Sequence, residues 1–83
     1  MYEIRVLDLD AGRLMIEEGV VKAALRKLHI SAHVTMVADN LAIARQGLMG
    51  SVPIIEVDGV IVCKGKPLIL TEVMELFQRI LPS

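Results

Sequence analysis

The sequence predicts an α/β domain, a four-stranded mixed sheet with three helices in the order β-α-β-α-β-β-α. Three observations carry that prediction. Residues 2–8 alternate apolar and polar side chains with the period of two that a strand needs. Residues 13–28 change to the helical period. Residues 54–64 are two short β-branched runs either side of Asp58-Gly59, the strongest short-range hairpin signal.

In the first strand Tyr2, Ile4 and Val6 share one face, with Glu3 and Arg5 on the other. Asp8-Leu9-Asp10-Ala11-Gly12 breaks the pattern, and Asp10 is placed to cap the following helix. In that helix Leu14, Val21, Leu25 and Leu28, with Val20 and Ala24, form the apolar face. Glu17, Glu18, Lys22, Arg26 and Lys27 are assigned to the polar one, Glu18 and Lys22 at ion-pair spacing. Residues 32–38 read as a second strand, so strand, helix and strand form a right-handed parallel crossover. Asp39 caps a short helix from Asn40 to Gln46, ended by Gly47. The hairpin strands are Ile54–Val57 and Val60–Lys64. Thr71 is the expected cap of a last helix that buries Val73, Met74, Phe77, Ile80 and Leu81 and stops at Pro82.

Composition narrows the function classes. The chain has 83 residues, 54% of them hydrophobic, which is enough core material for one small domain. So apolar a chain either buries nearly all of this material or leaves patches that favour a partner, a second copy included. Nine basic and ten acidic residues are interspersed, and Tyr2 and Phe77 are the only aromatics. Neither a basic stripe nor a stacking platform is present, which speaks against nucleic-acid binding. No apolar run approaches a membrane span, and Glu3, Arg5, Asp8 and Asp10 interrupt any leader-like pattern. One cysteine cannot form an intramolecular disulfide, so the expectation is a cytoplasmic protein.

From Gly47-Leu48-Met49 through Ser51-Val52-Pro53, the Val57-Asp58-Gly59 turn and Gly65 to a closing Glu/Leu-rich helix, the chain resembles small thioredoxin-like, glutaredoxin-like proteins of the redox-active disulfide type. Gly50 reads as a one-residue insertion ahead of the proline. The resemblance implies a thioredoxin-like fold, a cis bond before Pro53, and a Val52 backbone that pairs with an extended peptide. It places the family's Cys-x-x-Cys pair at Ala11-Gly12-Arg13-Leu14, where no thiol stands. That chemistry needs a thiolate activated at a helix N-terminus, which neither alanine nor leucine supplies.

The expected function is therefore a redox-inactive module that binds a protein or extended peptide, or associates with itself. Val52, Pro53, Leu14, Leu48 and Met49 form its expected docking surface, bordered by Leu9, and no cofactor is expected. The rival is a thiol–disulfide oxidoreductase or electron carrier relying on Cys63 alone, with a structural subunit of a redox complex as a third reading. Cys63 follows three β-branched residues and reads as a small strand hydrophobe. Asp8 and Asp10 are too few for a metal site, His29 and His33 lack partner ligands, and Lys64-Gly65-Lys66 is too short for a phosphate loop.

Overall fold

The computed structural model describes residues 1–81. Strand β1 (Tyr2–Leu7) leads into helix α1 (Ala11–Lys27), strand β2 (Ala32–Val37) and short helix α2 (Asn40–Arg45). A single 3-10 turn, Met49–Ser51, precedes β3 (Ile54–Val57) and β4 (Val60–Lys64), and α3 (Leu70–Ile80) follows. The sheet order is β2-β1-β3-β4. β1 pairs in parallel with β2, from Tyr2 opposite Ala32 to Leu7 opposite Val37. It pairs antiparallel with β3, from Ile4 opposite Val57 to Leu7 opposite Ile54.

Alternation along the central strands splits the interior into two layers. Ile4, Val6, Ile55 and Val57 pack with Leu14, Val21 and Leu25 of α1 and Val73 and Phe77 of α3. Leu7 and Ile54 point the other way, to Ile43 of α2 and to Leu48. On that second face Arg5 and Glu56 stand opposite each other and form an ion pair of 3.1 Å. β1 and β3, flanked by strands and packed on both faces, are the most buried strands.

Local chemistry explains most element ends. Asp10 Oδ1 accepts the Arg13 N–H (2.8 Å), and Asp39 Oδ1 accepts the N–H groups of Leu41 and Ala42. Both are side-chain N-caps, each satisfying otherwise orphaned donors. Asp58 and Gly59 take φ of 49° and 85°, as a type I′ hairpin turn requires. The Asp58 carboxylate also accepts the Glu3 N–H at 2.8 Å.

Three expectations need correction. Ile80, expected on the buried face of the last helix, is exposed. Helix α3 starts at Leu70 after Ile69, with no side-chain cap; half-buried Leu70 packs with Val73 and Phe77, and Thr71 lies exposed inside the helix. Glu17 is buried, not on the polar face. Pro82, the expected stop of the last helix, lies outside the described residues.

Candidate functional site

The ends of β1 and β2 and the start of β3 bring three loops to one end of the sheet: residues 8–10, 38–39 and 47–53. Gly47, at φ 70°, ends α2 and turns the chain back so that Leu48 enters the core. The 3-10 turn then delivers Val52 and Pro53, joined by a cis peptide bond. The Pro53 carbonyl accepts the Gly65 N–H (3.1 Å), which ties this loop to the end of β4. The carbonyl of Val52, by contrast, accepts no hydrogen bond among the described residues.

The five residues expected to make a docking surface do not share one environment. Met49 is 48% exposed, and Val52 and Pro53 are half-buried at the surface. Leu14 is only 3% exposed and packs against Ile4, Val6 and Phe77; Leu48 is 8% exposed and packs against Leu7, Ile43 and Ile54. These two leucines turn into the two core layers, so neither supplies surface contact. Their place at this end of the sheet is taken by half-buried Leu9 and exposed Leu41. Leu41 is two residues from the buried Ile43, so the helical period turns it to the opposite side of the helix. In this helix the single buried position is Ile43.

Ala11, Gly12 and Arg13 lie exposed on the first turn of α1. Cys63 is elsewhere: half-buried on β4, opposite Ile55, against the layer that holds α1 and α3.

Beneath the first turn of α1 lies a polar cluster that the sequence reading did not assemble. Asp8, at the end of β1, is 0% exposed. Its Oδ1 accepts the Leu9 N–H (2.6 Å), the Asp10 N–H (3.5 Å) and an Arg13 Nη2 (2.8 Å), while Oδ2 accepts Arg13 Nε (3.2 Å). Burial alone raises a carboxyl pKa. Here the Arg13 fork, the Glu17 carboxyl and the two backbone donors outweigh it and lower Asp8 to about 2.

Glu17 is one turn beyond Arg13, 8% exposed, and its Oε1 receives no hydrogen bond. Burial, and then the hydrogen bond and negative charge of Asp8, raise Glu17 to about 7. Its acid form removes the conflict, because a carboxyl O–H donates to the Asp8 carboxylate where a second carboxylate would repel it. The signal was present in the sequence. Glu17 falls at helical spacing between Leu14 and Val21, on the apolar stripe itself.

Among the described residues, no group of three or more His, Cys, Asp and Glu side chains is placed to hold a metal ion. No helix among them is long and apolar enough to cross a membrane. No family model, curated protein or solved structure matches this chain.

Proposed function

We propose that this chain is a thioredoxin-like domain without thiol chemistry, which docks an extended segment of a protein at the Val52–Pro53 loop. The unused Val52 carbonyl carries the reading. Val52 is half-buried at the surface, three residues after the exposed Met49, and an open main-chain acceptor with an apolar side chain in the same loop is what an added extended strand requires: main-chain hydrogen bonding for affinity and apolar contact for selectivity. Leu9 and Leu41 extend the apolar surface at this end of the sheet. The element order and the mixed sheet support the thioredoxin-like assignment. The first turn of α1 carries Ala11, Gly12, Arg13 and Leu14, none of which is a nucleophile, so docking is not followed by thiol exchange.

The test is an NMR titration of the labelled chain with extended peptides rich in β-branched residues. Amide shifts are expected at Leu9, Leu41, Met49 and Val52. Met49→Asp is expected to weaken binding about tenfold by placing a charge in an apolar contact. Shifts confined to β4 and α3, or binding indifferent to Met49→Asp, would overturn the assignment of the site.

A further inference from the structure

A groove of about 510 Å³ runs between β4 and α3, on the opposite side of β4 from its pairing with β3. Lys64, Lys66, Glu72, Glu75 and Arg79 surround it. All five are exposed, and none is engaged in an ion pair among the described residues. Both signs are present, so the groove has no bias toward a strongly acidic or strongly basic ligand.

The pattern along α3 is more specific than the composition of the groove. Ile69, Leu76 and Ile80 follow one another at spacings of seven and four residues, on one stripe along the shoulder of the buried Val73–Phe77 face. Ile69 and Ile80 are exposed and Leu76 is half-buried. Glu72 and Arg79 have the same seven-residue spacing and flank that stripe on its solvent side. Reversing the direction of this helix places an acid where a base stood and a base where an acid stood, while leucine remains at the centre. The surface is complementary to itself.

We infer that a second copy of this chain covers this face. α3 of each copy runs antiparallel to α3 of the other about a two-fold axis near Leu76. Glu72 of each copy then meets Arg79 of the other, and the Leu76 side chains pack together between the two ion pairs. This is an isologous contact, the kind that closes at two subunits. An interface of standard size covers roughly 800 Å² on each partner, more than the ~16 Å length of this helix supplies. Ile69 and the groove rim at Lys66 and Pro67 therefore belong to the footprint. Edge-to-edge pairing of β4 is the weaker route to a dimer. The β3–β4 register shifts between Ile55 and Glu56 and leaves Val62 as an extra residue, and such a bulge bends an edge away from pairing. This surface is separate from the Val52–Pro53 loop, so the inference does not rest on the peptide-docking reading.

Sedimentation equilibrium tests it. The unmodified chain is expected to reach twice its 9.1 kDa mass as concentration rises. Glu72→Arg alone and Arg79→Glu alone each remove two ion pairs and set like charges opposite each other twice, so each is expected to raise the dissociation constant about tenfold or more. The double variant E72R/R79E restores opposite charges across the axis and is expected to recover the dimer. These positions are exposed, so circular dichroism of all three variants is expected to match the unmodified chain. A 9.1 kDa mass at every concentration, a dimer indifferent to both single changes, or no recovery in the double variant overturns the inference.

Discussion

The buried carboxyl of Glu17 stands next to the buried carboxylate of Asp8 at the junction of α1 and β1, and burial together with the Asp8 charge keeps a proton on Glu17 up to about pH 7. The two groups are displaced in opposite directions from their ordinary values. Asp8, at about 2 against an ordinary 3.8, is held down because the Arg13 fork, Glu17 and two backbone donors outweigh its burial. Glu17, at about 7 against 4.5, is held up by its burial and by the neighbouring Asp8.

Each displacement makes folding depend on pH, with opposite sign. Between 4.5 and about 7 the folded chain keeps a proton on Glu17 that the unfolded chain has released, so stability falls as pH rises through that window. Between 3.8 and about 2 the unfolded chain takes up a proton that folded Asp8 refuses, so stability falls as pH drops. The contribution of this pair to stability is therefore greatest at about pH 4 and declines on both sides. Glu17→Gln preserves the shape, and its amide donates to Asp8 as the acid form does, but it does not ionise. Urea denaturation of this variant is expected to show a flat alkaline limb and a gain of about 2–3 kcal/mol above pH 7. An alkaline limb that still slopes as in the unmodified chain contradicts the assignment of the proton.

Among the described residues Arg13 is the only cation bound to Asp8, and it holds both carboxylate oxygens at 2.8 and 3.2 Å. Arg13→Ala leaves a fully buried carboxylate with two backbone donors and Glu17. A loss of stability is expected, smaller than for a wholly buried pair because the Arg13 side chain is 59% exposed. Arg13→Lys retains the charge and loses the fork, so an intermediate loss is expected. In both variants the acid limb moves to higher pH, because Asp8 loses the strongest of the interactions that hold it down. Denaturant titrations at several pH values check this; an acid limb unmoved in Arg13→Ala contradicts it.

What was legible in the sequence follows from how local each determinant is. The hairpin, the Asp10 and Asp39 caps and the change from strand to helix period are set within a few residues, and they stand where expected. Glu17 was assigned by residue type and not by position, although its place between Leu14 and Val21 puts it on the buried stripe. Its burial is tolerated because Asp8, from another element, supplies a partner for its proton. Leu14 stands on the apolar stripe of α1 with Val21 and Leu25, which already turns it inward, whereas the direction of Leu48 depends on where α2 and the following loop pack on the sheet, which no local pattern encodes. Thr71 was chosen for its hydroxyl, whereas the start of α3 is set by the packing of Leu70 against the core. The cluster of Asp8, Arg13 and Glu17 needs a strand end and two successive helical turns brought together, so only the folded chain displays it.

The C-terminal end of α1 offers a stability test independent of that cluster. His29 has φ 55°, the left-handed conformation, directly after the cap residue Leu28. Its N–H donates to the Arg26 carbonyl (3.2 Å), and the Ile30 N–H donates to the Leu25 carbonyl (2.9 Å), the bond pair of a Schellman motif. Glycine is the usual residue at this position because a Cβ crowds the carbonyl oxygen there, at a cost of roughly 1–2 kcal/mol. The His29 side chain is exposed and makes no ion pair among the described residues, so its removal forfeits little. His29→Gly relieves the crowding but gives the unfolded chain more freedom, which offsets part of the gain. The expected net effect is about 0.5–1 kcal/mol of added stability, or a rise in Tm of about 2–8 °C for a domain of this size. His29→Val, β-branched at the same φ, is expected to destabilise by a similar or larger amount. Thermal denataturation followed by circular dichroism orders the three chains. A His29→Gly variant no more stable than the unmodified chain would show that the imidazole contributes more at this helix end than the relief of its backbone.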